Sequence, residues 1–388
     1  MEQTITPAAA SAFTIGVEEE YQLVDPATGA LRDHATRLRE SDWTGELVAE
    51  LQESTIEIGT PICTSAAEAG EQLQRLRFQA GTVAAAQGVA IVAAGLHPFF
   101  EWAGHRRPAL ERYRSIEARY GRIARDEHIY GMHVHVAVPE HVARLPIMNV
   151  VRHYLPHMLA LSASSPFLEG EDTSFASFRT ILWRRWPNSG IPPRFDSEAE
   201  YRHYVDTLLA AGVIQDPWNL YWSLRPHPEY PTIEFRVTDV CPSLRDAVGI
   251  AALARALIYA AGSGVLTDEA PRHISPVLNQ EFLRANEWRV ARDGLDALLI
   301  DTQHGTGSTA VRDELCELLD TVEPCAVELG DAAAFAQLRV ILERGNAADR
   351  MRAEYARTGD LRQLVTWLTQ ESLAGTGLDR RTVARDDT

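Results

Sequence analysis

FTIGVEEEYQLV, residues 13–24, alternates between apolar and polar side chains with a period of two. Successive side chains of a β-strand point to opposite faces of the sheet, so this alternation predicts a strand. One set of positions is apolar except for Glu19, and the other set carries Glu18 and Glu20. The stretch therefore predicts a sheet with one face towards a core and one face that bears carboxylates.

Three further stretches, 54–60, 129–138 and 232–238, show the same alternation. Their polar positions carry Glu57, His133, His135, Glu234 and Arg236. For any one strand, an ordinary solvent-facing side would explain such a pattern. Four strands that place carboxylates, imidazoles and a guanidinium on one side instead favour a shared binding face. Small neighbours such as Gly59, Gly131 and Ala137 would leave room there for a ligand.

Such a face predicts bound metal, because clustered carboxylates repel one another unless cations neutralise them. Oxygen ligands with one imidazole favour Mg²⁺ or Mn²⁺ over Zn²⁺. Mg²⁺ usually completes its shell with water and phosphate oxygens, which indicates a nucleotide phosphate site. Arg236 would then neutralise a transferring phosphoryl group. The His-x-His pair also occurs in zinc hydrolases, and His135 could instead serve only as a hydrogen-bonding group of the pocket.

The amino-acid composition excludes several classes of partner and of enzyme. The 388 residues include 54 acidic and 37 basic side chains, and the formal net charge of −17 argues against duplex nucleic acid or an anionic membrane as a partner. Every basic residue is an arginine. The absence of lysine excludes a P-loop, a protein kinase and Schiff-base chemistry, all of which need a lysine amine.

The order of predicted elements gives an α+β class, with one sheet and many helices. Further strands are predicted at 89–95 and 220–224, and helices near 65–87, 108–126, 140–161 and 197–211. After Pro242 the pattern is helical, with breaks near Gly262, 305–307, Gly345 and Gly359. The apolar run 248–266 contains Arg255 and predicts a buried helix rather than a membrane span. A polar tail, 375–388, is expected to fray.

The four cysteines form no CxxC pair, and the N-terminus lacks a basic region followed by an apolar stretch. Both features indicate a cytoplasmic protein with reduced thiols.

Seven blocks, read in order, resemble the carboxylate–amine ligases of the glutamate–cysteine ligase type 2 group, relatives of glutamate–cysteine ligase proper and more distantly of glutamine synthetase. These blocks are TIGVEEEYQLVD (14–25), STIEIGTPIC (54–63), AAGLHPF (93–99), YGMHVHVAVP (130–139), LSASSPFLEGEDTSFASFRTILWRRWPNSG (161–190), WSLRPHPEYPTIEFRVTDVCPSL (222–244) and NEWRVARDGLDALLID (286–301). They span nearly the whole chain, which makes the match specific.

The resemblance implies a fold and a set of site residues. The expected fold is one ligase domain over residues 1–374, in which a curved antiparallel sheet has a charged concave face, helices cover its other face, and the C-terminal third is helical. The expected metal ligands are Glu18, Glu20, Glu57, His133 and Glu234. Arg236 and Arg179 would act on the phosphoryl group or a substrate carboxylate, and Arg225, His135 and His97 would bind the nucleotide. Arg179 could instead pair with Glu169 or Glu171, and Arg225 or His97 could fix a loop.

The implied reaction uses ATP and Mg²⁺ in two steps. The γ-carboxylate of glutamate attacks the γ-phosphate to give an acyl phosphate, and an amine then displaces phosphate to form an amide. The partners would be small molecules, the amine is not specified by the sequence, and self-association of the chain is left open. Two rival hypotheses are a metal-dependent amidohydrolase that uses the same Glu and His residues, and a non-catalytic dimeric scaffold.

Overall fold

The computed structural model describes residues 11–41, 43, 46–100, 111–268, 274–301 and 307–378. The strands in these residues are β1 (Ile15–Val24), β2 (Glu46–Ala49), β3 (Thr55–Gly59), β4 (Ala90–Val92), β5 (Met132–Ala137), β6 (Phe167–Leu168), β7 (Glu171–Asp172), β8 (Leu224–Pro226), β9 (Thr232–Phe235), β10 (Leu298–Ile300) and β11 (Ser308–Ala310).

The described helices fall into two groups along the chain. Those before β8 are α1 (Ala35–Arg39), α2 (Ala66–Ala86), α3 (Glu111–Tyr120), α4 (Arg122–Arg125), α5 (Arg144–Val151), α6 (Leu155–Ser162), α7 (Phe178–Trp183) and α8 (Glu198–Ala210). Those after β9 are α9 (Leu244–Gly262), α10 (Pro276–Asp293), α11 (Val311–Glu328), α12 (Ala332–Phe335), α13 (Gln337–Arg344), α14 (Ala347–Thr358) and α15 (Leu361–Leu373).

One open antiparallel sheet positions the site. Its strand order is β2–β3–β1–β5–β9–β8, and β4 pairs with the end of β1 on the same side as β5, beyond the residues that pair with β5. All of these pairs are antiparallel. The α+β class with an antiparallel sheet and a largely helical C-terminal third is thus confirmed. A small hairpin, β10–β11, interrupts the helical region and was not predicted.

The apolar face of the sheet packs on helices α2 and α9, and together they form the main core. Ile15, Val17 and Tyr21 of β1 are almost completely buried there. Helix α9 is buried along most of its length, which confirms the buried helix predicted at 248–266. Arg255 is compatible with that burial because its guanidinium donates to Asp331 and to the carbonyl of Phe13. Within the described residues, no helix combines the length and the apolarity that a bilayer crossing requires.

Glu19 is the one charged residue on the core face of β1, and it forms a fully buried ion pair with Arg77 of α2. The Arg77 guanidinium also donates to the carbonyls of Cys241, Pro242 and Ser372. A single side chain therefore joins the sheet, the start of α9 and the end of α15. The pair explains why the apolar series of the first strand is interrupted.

We expect Arg77→Met to lower the free energy of unfolding by about 3 kcal/mol or more, because it leaves the Glu19 carboxylate buried without its counter-ion. The matched control is Arg75→Met on the same helix, whose exposed guanidinium contacts only Gln72 among the described residues. That change should alter stability by less than about 0.5 kcal/mol. Urea unfolding measures both variants, and equal effects would contradict the assigned role of the buried pair.

Local chemistry sets several of the helix boundaries. Ser65 caps α2 by accepting a hydrogen bond from the amide of Glu68, and Asn346 caps α14 in a reciprocal arrangement with Asp349. Gly359 ends α14 with φ of 65°, a left-handed conformation that glycine adopts without strain. Breaks predicted at Gly262, Gly345 and Gly359 are confirmed. Of the break predicted at 305–307, only Gly307 lies in the described residues.

The structure corrects several predicted elements. The helix predicted over 140–161 is divided into α5 and α6 because Pro156 at the start of α6 lacks the N–H that a continuous helix needs. The strand predicted at 220–224 is displaced, since pairing with β9 begins only at Leu224. The edge strand β2 was not predicted. In the C-terminal tail, Leu378 packs against the core, and residues 379–388 lie outside the described part of the chain.

Candidate active site

The register of the strands brings the charged side chains together in one row across the sheet. Glu20 of β1 pairs with Glu57 of β3, and Glu18 of β1 pairs with His133 of β5. On the other side, His135 pairs with Glu234 of β9, which also pairs with Arg225 of β8. Directly opposed residues of antiparallel strands have Cβ atoms roughly 5 Å apart, so their side chains interact. These five strands thus present one continuous charged face.

Two arginines hold Glu234 at one end of this row. Arg225 Nε lies 2.6 Å from Glu234 Oε2, and Arg236 Nη1 lies 2.5 Å from Oε1. Burial alone would raise the pKa of Glu234, but the positive charges of Arg236 and Arg225 hold it well below its usual range. Glu234 is therefore an ionised carboxylate. A carboxylate has about four acceptor positions, and the arginines take three of them, which leaves one for a further cation.

Glu18 lies between the two histidines of β5 at the centre of the row. Its carboxylate is 3.1 Å from His133 Nδ1 and 3.3 Å from His135 Nε2. Burial alone would raise the pKa of Glu18, but the two imidazoles outweigh it and hold that pKa below its usual range. Burial, reinforced by the charge of Arg236, lowers the pKa of His133, so this imidazole is neutral and can donate its lone pair to a metal.

Glu57 occupies the opposite end of the row, where carboxylates crowd without an arginine between them. Burial raises the pKa of Glu57 well above its usual range, and the negative charges of Glu50, Glu18 and Glu20 add to this effect. Glu20 accepts a hydrogen bond from the backbone amide of Gly131. A carboxylate held here in its ionised form needs a cation, which is the arrangement that the sequence predicted for a metal-binding face.

We expect Glu57→Gln to raise the stability of the metal-free protein at pH 7 by roughly 1–4 kcal/mol, the size of one Coulomb repulsion at about 4 Å in water or near a protein surface. The sign follows from the raised pKa of Glu57. The folded state binds the proton of this carboxyl more tightly than the unfolded chain does, so the fold loses stability as the pH rises above the ordinary pKa of glutamate.

The matched control for Glu57→Gln is Glu234→Gln. This second change removes the carboxylate that neutralises Arg225 and Arg236, and it should destabilise the protein instead. Thermal unfolding of both variants in metal-free buffer measures whether each change raises or lowers the stability of the protein. A loss of stability in Glu57→Gln would contradict the assignment of Glu57 to a site of uncompensated negative charge.

The row contains two sets of side chains that could each hold a metal ion. The first set is Glu18, Glu57 and His133, and the second is His135, His227 and Glu234. In each set the three ligand atoms lie within 4.8 Å of one another. The first set matches the predicted combination of carboxylates with one imidazole and suits Mg²⁺ or Mn²⁺. The second has two imidazoles, a softer combination that Mg²⁺ favours less.

His227 was not among the residues predicted for the site, although it lies two positions after Arg225 on the same extended segment. Its Nδ1 accepts hydrogen bonds from the backbone amides of Glu229 and Tyr230, so the neutral ring carries its proton on Nε2, and a metal could bind Nε2 only in the other tautomer, without these two hydrogen bonds. Burial lowers the pKa of His227 to about 4, so the ring is neutral at neutral pH. A period of two counted onwards from Arg225 would have placed His227 on the same face.

Arg179, from α7, enters the site from outside the sheet. Its predicted alternative partners were Glu169 and Glu171, but its guanidinium lies 3.5 Å from Asp239 and donates to the carbonyl of Arg236. Asp239 is in turn held by Ser164, Ser165 and Ser177. These contacts fix Arg179 beside Arg236.

The space beside Gly131 is filled by protein. A Cβ atom at that position would lie 2.4 Å from Arg179 Nη2. The prediction that this glycine leaves room for a ligand is therefore wrong, because the room admits the Arg179 guanidinium.

Arg225 and His97 both contact backbone carbonyls. Arg225 donates to the carbonyls of Trp218 and Leu220 as well as to Glu234, so it fixes the segment before β8. His97 is fully buried, donates from Nε2 to the carbonyl of Gly29 and accepts at Nδ1 from the amide of Phe99. Neither ring nitrogen of His97 faces the charged row, and the alternative role, fixing a loop, fits these contacts better than the predicted nucleotide contact.

A cleft of about 170 Å³ adjoins the charged row. Its lining includes Glu20, His133, Arg179 and Arg236 of the charged face and its surroundings. It also includes four aromatic side chains, Tyr113, Trp183, Trp186 and Tyr221, together with Glu127. Glu127 was not predicted, although it belongs to the same alternating series, 127, 129, 131, 133 and 135, that places both histidines on this face. The row and the cleft together can accommodate metal, phosphate and an organic group.

Comparison with known proteins shows which family the chain resembles. The model of glutamate–cysteine ligase family 2 matches residues 14–367. A relative from Herpetosiphon aurantiacus, provisionally named glutamate–cysteine ligase 2, is 36% identical over 376 residues, which are 95% of this chain and 96% of the relative. A protein of the same provisional name from Chloroflexus aggregans is 37% identical over 369 residues, or 94% of this chain and 93% of its own.

A solved structure shares the fold at much lower sequence identity. The glutamate–cysteine ligase of Francisella tularensis, whose crystal structure holds AMP, superposes with a TM-score of 0.67 at 15% identity. The match covers 96% of this chain and 91% of that one. The extent of the family match and the identity to full-length relatives lead to one conclusion: the chain belongs to glutamate–cysteine ligase family 2.

Proposed function

We propose that this protein is an ATP- and Mg²⁺-dependent carboxylate–amine ligase, which joins a carboxylate, with glutamate as the first candidate, to an amine. The observation that carries the proposal is the row of four carboxylates and three imidazoles that ends in two arginines. Such a row suits a polyphosphate that arrives with its cations. The family match supports a ligase, and the AMP in the Francisella structure supports an adenine nucleotide as the phosphoryl donor.

In the first step, an oxygen of the substrate carboxylate attacks the γ-phosphorus of ATP, and the bond from that phosphorus to the β–γ bridging oxygen breaks. Negative charge shifts towards ADP and the equatorial oxygens of the phosphoryl group. Arg236 is the residue proposed to stabilise this charge, and Glu234 and Trp183 fix its guanidinium. Arg179, which is anchored on Asp239, would orient the substrate carboxylate.

In the second step, the amine nitrogen attacks the acyl carbon, the bond from carbon to the phosphate oxygen breaks, and inorganic phosphate leaves. The nitrogen loses a proton and an amide remains. Glu18, Glu57 and His133 would hold one cation, and Glu234 with His135 and His227 would hold another. Bound Mg²⁺ or Mn²⁺ would neutralise the phosphate charge and align the two anionic reactants, which otherwise repel each other. Glu20, which borders both the row and the cleft, remains a proposed ligand.

The experiment that tests this function is a screen for ADP release with ATP, Mg²⁺ and glutamate over a panel of amino acids and amines, cysteine included. We expect ADP, phosphate and amide to form in equal amounts, and only when an amine is present. Cleavage of an amide without ATP would instead establish the amidohydrolase. A protein whose melting temperature does not respond to ATP with Mg²⁺, and which releases no ADP, would be the non-catalytic scaffold.

A further inference from the structure

Glu127 is a buried carboxyl group to which the proposed reaction assigns no role. It is 9% exposed and lines the cleft beside Trp186. Its Oε2 accepts a hydrogen bond of 2.7 Å from the indole N–H of Trp186. Its Oε1 is buried and has no hydrogen-bond partner among the residues that the structure describes. A buried acceptor without a donor is costly, so Oε1 is the natural contact point for a ligand.

The surroundings of Glu127 favour an organic cation over a metal ion. Trp183, Trp186 and Tyr221 form the adjoining wall, with ring centroids 5.1–6.1 Å apart. Indole and phenol rings supply no ligand that Mg²⁺ prefers, whereas their faces attract an ammonium group. Neither of the two candidate metal sets includes Glu127. An ammonium group would donate one N–H to Oε1 and present its remaining charge to the rings.

The lining of the cleft also includes positively charged groups. Arg179 and Arg236 line the cleft, and the Nε–H of each is buried without an acceptor within the described ranges. An anion alone would leave Glu127 Oε1 without a donor, and a cation alone would leave the two arginine Nε–H groups without an acceptor. A molecule with an ammonium group at one end and an anionic group at the other can pair with both Glu127 and the arginines. Burial raises the pKa of Glu127 to about 8, and a bound ammonium would favour the ionised form.

We propose that Glu127, backed by Trp186, is the residue that binds the ammonium group of a substrate in this cleft and so sets the preference for amino-bearing substrates. The inference deepens the proposed ligase function and rests on it for the identity of the ligand. Two substrates could supply the ammonium group: the carboxylate donor, if it is an α-amino acid, and the amine acceptor before it loses its proton.

Glu127→Gln tests the subsite because glutamine keeps the shape and can still accept from Trp186, but loses the charge. Loss of a charge-assisted hydrogen bond predicts a rise in KM of roughly 10-fold or more for the substrate concerned, with KM for ATP unchanged. The control is Glu111→Gln, an exposed residue paired with Arg114, which should change none of these constants.

Glutarate, which is glutamate without the α-amino group, distinguishes the two sources of the ammonium group. If Glu127 binds the donor, the variant raises KM for glutamate but not for glutarate. If it binds the acceptor, KM for the amine rises with either donor. Unchanged constants for donor and acceptor in a variant that melts like the wild type would overturn the proposal.

A binding measurement separates this inference from the ligase function itself. Titration of wild type and Glu127→Gln with glutamate, glutarate and n-propylammonium, followed by tryptophan fluorescence from the cleft, needs no turnover. Weaker binding of the ammonium-bearing probes to the variant supports the subsite even if the screen for ADP finds no ligase activity. Equal binding to both proteins overturns the subsite even if the wild type proves to be an active ligase.

Discussion

Removal of divalent cations is expected to weaken ATP binding by about 10³-fold. Without a cation, the triphosphate would approach a face that carries Glu18, Glu20, Glu57 and Glu234. Arg225, Arg236 and Arg179 cannot compensate, because each is already paired with a carboxylate. One like-charge contact at 4 Å costs about 4 kcal/mol at an effective dielectric constant of 20, which corresponds to roughly three orders of magnitude in affinity.

Calorimetric titration of ATP with Mg²⁺ and with excess EDTA measures this difference. The melting temperature in EDTA serves as the control that the fold persists. Glu57→Gln should bind ATP less tightly in Mg²⁺ yet lose less affinity in EDTA than the wild type does, because it removes both a proposed ligand and a repelling charge. Equal affinity of the wild type in Mg²⁺ and in EDTA would show that the charged face is not a cation-dependent phosphate site.

Arg236→Lys is expected to lower kcat by about 10³-fold with a much smaller change in ATP affinity, since an arginine on the transferring phosphoryl group contributes roughly 10³–10⁵ in rate. Arg236 borders the cleft, contacts Glu234 and lies over the ring of Trp183, with its CZ atom 5.5 Å from the ring centroid. Lysine keeps the positive charge but loses the planar group that bonds two oxygens at once. A loss confined to kcat would mean that the contact strengthens in the transition state.

Arg225→Lys is the matched control for Arg236→Lys. Both arginines neutralise Glu234, but Arg225 does not border the cleft. If Arg236 acted only as a counter-ion, the two lysine variants would have similar, modest effects. Single-turnover formation of ADP from ATP and glutamate separates these cases. A wild-type rate in Arg236→Lys would remove this residue from the mechanism.

Alternation along single strands allowed the sequence to indicate which side chains share the charged face. Glu18, Glu57, His133 and Glu234 fall on that face because a period of two is a local property of each strand. Their pairing could not be obtained in the same way. That Glu18 opposes His133, and Glu234 opposes both His135 and Arg225, depends on the register between strands distant in the chain.

Other features depended on tertiary packing in ways that the sequence does not disclose. Gly131 was predicted to leave room for a ligand, but the group in that space is the Arg179 guanidinium. The partner of Arg179 is Asp239, and no pattern in the sequence favours this residue over Glu169 or Glu171. His227 and Glu127 each continue an alternating series beyond the end of a strand, where periodicity no longer guarantees orientation. Their role at the site becomes visible only when the loops are placed.

The fate of one oxygen atom tests the proposed reaction most directly. Glutamate labelled with ¹⁸O in its γ-carboxylate is incubated with the protein, ATP, Mg²⁺ and the amine that the ADP screen identifies, and the inorganic phosphate is analysed by mass spectrometry. If the carboxylate attacks the γ-phosphorus and the amine then displaces phosphate from the acyl carbon, each phosphate released with an amide carries one ¹⁸O atom. Phosphate that forms together with the amide but contains no ¹⁸O would contradict an acyl-phosphate route.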